Sequence, residues 1–474
     1  MNKILIALLV STAVTGCAVV QPTPPKLDLP AGTATPAQET LLQDWWLAFD
    51  DPVLTKLIDE AFAQNYDLRV TMARIEAARS RVLLAQSELA PDVNLRIDPA
   101  RSRISGVGSQ PLPAGTPLIS NDFRVAIEMS YELDVWGKYR SGALASENDL
   151  TAARYYRETV RIGVAADVAN AYFRLRAADA EMGVLETTLK LRNETAQLLR
   201  DRFEGGLIGE YDVRSAEAER FAVIAEIART KRAIGQYETA IATLTGRSPQ
   251  AVFAPNVVRG TAVDAATAVP ALPFGFPVEI IGRRPDIRRS EALLAGSELR
   301  IQQARADYYP SFKLGAYFGS EAATTGALFT GPAAIWSFGL GILQPLLALK
   351  AIEAQVELAK ANNDRAAVEY LQTVQVAFGE VRSALVANAS ARDVLAAETS
   401  RRDEIAKAQE VAQLRYDAGR TSFLEVIDAQ RTLLAAETLR IAAARDAKIS
   451  TVDFAKALGG GWNPAQLSTT VGWQ

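Results

Sequence analysis

Phe123-Arg124-Val125-Ala126-Ile127-Glu128-Met129-Ser130-Tyr131-Glu132-Leu133-Asp134, followed at once by Val135-Trp136-Gly137-Lys138, is where the chain changes period. As far as Leu133, apolar residues take every second place opposite Arg124, Glu128 and Glu132, the pattern of a strand with one apolar and one charged face. From Lys138 to Glu204 there is no proline. Val164, Val168, Ala171, Leu175, Ala178, Met182, Leu185 and Leu189 step by fours and threes, the seam of a helix wrapped left-handed around its neighbours. That seam is interrupted at Arg192 and resumes at Ala196, Leu199 and Phe203. A helix of 67 residues would extend about 100 Å, too long for an ordinary globule.

Upstream, Val93, Leu95 and Ile97 alternate with Asn94, Arg96 and Asp98, which predicts a hairpin over about 91–134 closed by a Gly/Pro/Ser-rich loop. Strands of about 10 residues suit a tilted crossing of a bilayer; a half-buried soluble sheet carries the same alternation. Before the hairpin, Leu54, Leu57, Ile58, Ala61 and Phe62 share a helical face that begins after Asp51-Pro52. It predicts one helix running through Asn65 to about Ala90 and stopped by Pro91. After the long helix, Gly205-Gly206 breaks the pattern and a second helix runs over about 211–244.

The plan then repeats. Asp67, Leu68, Arg69, Ala85, Pro91 and Val93 fall on Asp286, Ile287, Arg288, Ala304, Pro310 and Phe312 at one offset (286 − 67 = 219). Farther on, Arg202-Phe203-Glu204-Gly205-Gly206 falls on Arg415-Tyr416-Asp417-Ala418-Gly419, and Thr245-Gly246 on Leu458-Gly459 (415 − 202 = 213). The second copy has its own hairpin over about 310–344. Phe312, Leu314, Ala316 and Phe318 alternate in its first strand, and Trp336, Phe338, Leu340 and Ile342 oppose Ser337, Gly339 and Gly341 in its second. Long helices follow over about 350–417 and 422–458. Units this long are not solenoid repeats but halves of an architecture. The division reads as a first half over 41–250, a linker over 251–283, a second half over 284–462 and a tail over 463–474.

The 474 residues carry a net charge of -4 and no histidine. A basic nucleic-acid footprint is absent, as are histidine-dependent triads and zinc sites. No phosphate loop or catalytic constellation appears, so neither catalytic residues, nor a cofactor, nor a bound metal is expected. Lys3 and the apolar run Ile4 to Val10 read as an export signal over 1–16. Val14-Thr15-Gly16-Cys17 resembles the lipobox of bacterial lipoproteins, with Cys17 the acylated residue and 17–40 a Pro/Thr/Ala-rich tether. An ordinary signal peptide is the alternative. Ala18 after that cysteine resembles an outer-membrane sorting signal.

Four strands cannot close a barrel, the smallest of which has about eight, and open edges in lipid leave backbone groups unpaired. Closure therefore calls for several chains. Eight strands from two chains would fill their own interior, whereas twelve from three would leave a channel.

Trp45-Trp46-Leu47-Ala48-Phe49-Asp50-Asp51-Pro52, Tyr131-Glu132-Leu133-Asp134-Val135-Trp136-Gly137-Lys138, Arg283-Arg284-Pro285-Asp286-Ile287-Arg288 and Lys456-Ala457-Leu458-Gly459-Gly460-Gly461-Trp462 occur in this order. Together with the duplication they resemble the outer-membrane efflux protein family (TolC-like), in particular the lipoprotein channels of resistance-nodulation-division multidrug pumps. The resemblance implies a mainly α fold with a pair of membrane β-hairpins in duplicated strand-strand-helix-helix halves. It implies a homotrimer whose twelve strands form one outer-membrane barrel, continued by a long periplasmic α-helical barrel. A periplasmic adaptor (membrane fusion) protein, an inner-membrane resistance-nodulation-division pump and outer-membrane lipid are the implied partners. It also assigns residues: Glu425 and Asp428 to the periplasmic gate, Asp212, Tyr416 and Arg420 to a lock, and Gly205-Gly206-Leu207 and Ala418-Gly419-Arg420 to tips that meet the adaptor. The family's usual lock arginine falls on Thr421, with Arg420 one place early, and the first half has Asp212 and Ser215 where the second has Glu425 and Asp428. The residues by themselves also allow Glu425 and Asp428 to serve only a helix N-terminus, and the glycines only to break helices. A duct for type I protein secretion or metal-cation efflux is the nearest alternative function; a lipid-anchored periplasmic coiled-coil scaffold is a more distant one.

Overall fold

The computed structural model describes residues 43–108, 113, 115–262 and 282–462. Cys17, the signal and tether regions, the tail over 463–474 and most of the inter-repeat linker lie outside the described residues. A 3-10 turn at Trp45–Phe49 leads into α1 (Pro52–Gln64), α2 (Tyr66–Ser87), β1 (Asp92–Arg103), β2 (Ile119–Glu132), α3 (Lys138–Glu204) and α4 (Glu210–Leu244). After a short α5 (Pro249–Phe253) the order recurs: α6 (Pro285–Ala306), β3 (Ser311–Ala322), β4 (Ala334–Leu343), α7 (Leu349–Asp417) and α8 (Phe423–Ala457). No described helix is long and apolar enough to cross a membrane. The chain forms two compact units that cut across the repeats. Ile75–Ala152 with Ser290–Tyr370 makes the first, and the other described residues make the second.

The first unit holds one antiparallel sheet in the order β1-β2-β3-β4. Its register puts Leu95, Ile127, Phe318 and Trp336 side by side, and next to them Val93, Met129, Ala316 and Phe338. That face is bare: Leu95 is 66%, Phe318 68% and Trp336 75% exposed. In water so wide an apolar patch would be a liability; in lipid it is the required surface. Charges occupy the other face, where Arg124 pairs with Glu128 (3.2 Å) and lies over the Tyr317 ring (4.6 Å). Arg96 approaches Glu128 (3.6 Å) and Lys313 approaches Glu132 (3.6 Å). Among the described residues, the outer edges of β1 and β4 have no strand partner.

The change of period after β2 has a local cause. Asp134 accepts hydrogen bonds from the backbone of Tyr139 (3.1 Å) and Arg140 (2.9 Å), while Gly137 takes φ 74°. The carboxylate thereby satisfies N–H groups that open α3. Trp136 stacks on Tyr309 (4.6 Å) and donates Nε1 to the Pro310 carbonyl (2.8 Å), tying the exit of β2 to the entry of β3.

In the second unit, Trp45 and Phe49 are buried, and Phe49 lies 4.9 Å from the Phe173 ring of α3. Asp51 caps α1 through Val53 and Leu54 and also accepts from Tyr172 Oη (2.7 Å), whose pKa is raised by burial and by Asp51. The single helix expected from Pro52 to about Ala90 is two helices. Asn65 leaves the helical conformation (ψ 131°) because its side chain caps α2, accepting from Asp67 (2.9 Å) and Leu68 (3.2 Å). Its Nδ2 donates to the Leu244 carbonyl at the end of α4 (2.8 Å). The second half repeats the device with another residue: Arg284 donates Nη1 to the Ala457 carbonyl at the end of α8 (2.7 Å). Burial works against the Arg284 charge, yet Asp286 and Glu380 outweigh it and raise its pKa.

Candidate functional site

The turns between the long helices are built alike. Gly206 (φ 73°) and Gly419 (φ 67°) take the left-handed conformation that glycine adopts without strain. Gly206 N donates to Phe203 O (2.9 Å) and Leu207 N to Arg202 O (2.9 Å); Gly419 N donates to Tyr416 O and Arg420 N to Arg415 O, both at 2.8 Å. These paired bonds satisfy the last carbonyls of α3 and α7. Gly205, Gly206 and Leu207 thus stand where Ala418, Gly419 and Arg420 stand in the second half, with Leu207 and Arg420 exposed.

The helices leaving the turns begin with carboxylates, Glu210 and Asp212 in α4 and Glu425 in α8, where the helix dipole favours negative charge. Glu425 is already engaged: Arg415 Nη1 donates to it at 2.9 Å, and Thr421 Oγ1 donates to its other oxygen. Thr421, at the place of the family's lock arginine, therefore serves its own hairpin. Asp428, three residues on, is exposed and makes no ion pair among the described residues. The two carboxylates share a helical stretch but not their partners: Glu425 is bonded across the turn, whereas Asp428 acts on Arg431 without an ion pair.

Tyr416 meets the first helix pair through a residue not singled out in the sequence. Arg202 Nη1 donates to Tyr416 Oη (3.0 Å), and the Tyr416 ring packs against Phe423 (5.5 Å). Among the described residues no hydrogen bond or ion pair joins Asp212 or Arg420, the other members of the expected lock, to Tyr416, although Val213 beside Asp212 packs on the same cluster as Tyr416. Beneath this bond Ala196, Leu199 and Ala216 of the first pair pack against Phe423, Val426 and Ile427 of the second.

A buried polar network lies farther along α3. Arg192, 4% exposed, donates to Gln430 of α8 (2.5 Å) and lies 3.7 Å from Glu219 of α4. Glu219, itself 7% exposed, accepts from Arg431 Nε of α8 (2.7 Å). Burial lowers the Arg192 pKa, with Glu219 opposing and Arg431 adding to that shift; the bond to Glu219 raises that of Arg431. The sequence signal for this network was the gap in the heptad seam at Arg192, and its partners on α4 and α8 were not legible there.

A sheet with one lipid-suited face and two open edges, joined to paired helical hairpins, defines a subunit of an outer-membrane duct. Residues 57–247 and 276–460 match the family model described as "Outer membrane efflux protein", and the chain belongs to that family. The toluene efflux pump outer membrane protein TtgF of Pseudomonas putida is 30% identical over 478 residues, 97% of this chain and 97% of that protein. The antibiotic efflux pump outer membrane protein ArpC of Pseudomonas putida is 32% identical over 430 residues, 89% of this chain and 85% of that one. Among solved structures, the Campylobacter jejuni CmeC outer membrane channel matches with a TM-score of 0.86 at 26% identity, over 94% of this chain and 97% of that one. The open state of the Neisseria gonorrhoeae MtrE outer membrane channel matches with a TM-score of 0.82 at 28% identity, over 94% and 98%. This chain is accordingly an efflux channel component of the outer membrane.

Proposed function

We propose that three copies form the exit duct of a tripartite efflux pump. The observation that carries this reading is the open sheet, whose apolar face stands between the unpaired edges of β1 and β4. Each unpaired backbone group held in lipid costs several kcal/mol, and pairing β4 of one copy with β1 of the next removes that cost. Twelve strands leave a water-filled lumen, lined by the face that bears Arg96, Arg124, Glu128 and Lys313.

In this reading Cys17 carries the lipid anchor, and the tips Gly205-Gly206-Leu207 and Ala418-Gly419-Arg420 meet a periplasmic adaptor. The adaptor joins the duct to an inner-membrane resistance-nodulation-division pump. Glu425 and Asp428, repeated three times, ring the periplasmic mouth and favour cations, with Asp428 the stronger contributor because Arg415 compensates Glu425. Tyr416 belongs to the lock that keeps the mouth narrow, with Asp212 and Arg420 at its border. The cargo is drugs or other small organic molecules, as are the toluene and antibiotic for which the relatives' pumps are named.

Three measurements test this. The detergent-solubilised protein should have the protein mass of three chains and conduct ions in planar bilayers, and a strain lacking it should become sensitive to solvents and drugs. A non-conducting monomer would overturn the duct. Loss of a secreted protein with unchanged drug sensitivity would move the cargo to type I secretion.

A further inference from the structure

Beside the buried network, the seam between the two helix pairs of the chain opens into a groove. Its walls are α3 from Ala180 to Arg192 and α8 from Gln430 to Glu437, with Gln409 of α7 at one side, and it encloses about 460 Å³. That lies within the range of small-molecule sites. All of these residues belong to the second unit, so the groove is complete in one chain and does not depend on how many copies assemble. It includes neither Glu425, nor Asp428, nor the turns.

Two features set it apart from a packing gap. Gly183 lines it from the middle of α3, where a glycine weakens a helix, and a Cβ placed there would meet nothing within 4 Å. Close packing does not call for that glycine; its effect is to keep the groove open. The second feature is Arg192, which is 4% exposed and also lines the groove. Among the described residues its guanidinium is hydrogen-bonded to Gln430 only, and it stands 3.7 Å from Glu219, beyond hydrogen-bond reach. A guanidinium carries five N–H donors, and burying donors without acceptors is costly.

Val184, Leu191, Leu433 and Leu434 supply apolar wall. The charges bonded into its two ends lean positive: Arg192 and Arg431 meet Glu219, while Arg402 and Arg440 bind Glu437, with Asp403 on Arg402. The duplication does not repeat this arrangement. At the same offset (405 − 192 = 213), Gly183 and Arg192 become Ala396 and Ile405, and Gln430 and Leu433 correspond to Glu217 and Arg220. Each chain therefore has one such groove.

We propose that this groove binds a small amphiphilic anion, its compact apolar body between α3 and α8 and its carboxylate or sulfonate on Arg192. An acid group there gives the arginine charge-assisted bonds for its unused donors, and the leucines and Val184 take the body out of water. A neutral molecule of the same shape gains only the second part.

Calorimetric titration of the full-length protein in lipid nanodiscs tests this, with 2-naphthoate and its neutral analogue 2-naphthylmethanol as probes and empty discs as the blank. Naphthoate should bind once per chain and about tenfold or more tightly than the alcohol. Arg192→Gln leaves Glu219 on Arg431; it should weaken naphthoate about tenfold and barely change the alcohol. Gly183→Leu places a side chain in open space and favours the helix, and it should abolish binding of both. Equal affinity of the native chain for the two probes, naphthoate binding undiminished in Gly183→Leu, or heats no larger than those of empty discs overturns the proposal. Should either variant fail to assemble, the two probes on the native chain still decide the role of charge. Thr187→Trp, which fills the groove from an exposed position, then decides its location: naphthoate bound as before would place the site elsewhere.

Discussion

Arg202 of α3 donates a 3.0 Å hydrogen bond to the hydroxyl of Tyr416 of α7, joining the two helix pairs of one chain just behind their turns. Both side chains are half-buried, so the bond is worth about 1 kcal/mol rather than the full value of a charged one. Tyr416→Phe keeps the ring against Phe423 and deletes the acceptor. Open probability in planar bilayers should rise about fivefold per bond lost; an unchanged value would remove this bond from the lock.

Selectivity should depend unequally on the two carboxylates of α8. Glu425 is paired with Arg415 and Thr421, whereas Asp428 faces solvent without an ion pair among the described residues. Asp428→Asn should therefore reduce the preference for cations over anions, read as a shift in reversal potential, more than Glu425→Gln does. Equal shifts, or the reverse order, would place the narrowing elsewhere.

Stability should respond more to the buried network than to the turn. Glu219→Ala leaves Arg192 buried beside Arg431 without its carboxylate, a loss of about 3 kcal/mol, whereas Glu425→Ala breaks an exposed pair worth less than about 1 kcal/mol. The midpoint of urea unfolding followed by helical circular dichroism should fall clearly in the first variant and barely in the second.

The duplicated glycines after α4 and α8 give a finer test. Gly246 (φ 66°) and Gly459 (φ 74°) are both left-handed, but a methyl on Gly246 would collide with the backbone carbonyl of Gln64, whereas on Gly459 its tightest contact is a smaller overlap, 2.9 Å to Cγ of Arg284, a side chain held by Ala457, Asp286 and Glu380. Gly246→Ala should cost about 3 kcal/mol and Gly459→Ala less, about 2 kcal/mol, left-handed strain included. Equal melting temperatures would mean that the two junctions relax alike.

Much of the architecture was legible because it is periodic. Alternation in Phe123 to Leu133 and the uninterrupted heptads after Lys138 are local patterns, and the expected hairpins and long helices agree with the observed elements to within a few residues. Asn65 was misread for an equally physical reason: its neighbours on both sides are helical, and only the distant Leu244 carbonyl together with α2's first N–H groups makes a break there favourable. The turns were legible from their glycines. The electrostatic difference between Glu425 and Asp428 was not, since it depends on Arg415 folding back across the turn.

By itself, then, the sequence determined the kinds of element, their duplication, the lipid-suited face of the sheet and the family, all consequences of spacing along one chain. Tertiary structure decided which charges are spent and which remain: Arg202 on Tyr416, Arg415 on Glu425, and Arg192 with Glu219 and Arg431 inside the seam. Those partners lie tens to hundreds of residues apart or across a turn. A side chain's charge is set by what the fold brings within a few ångströms, which the spacing of residues along the chain does not encode.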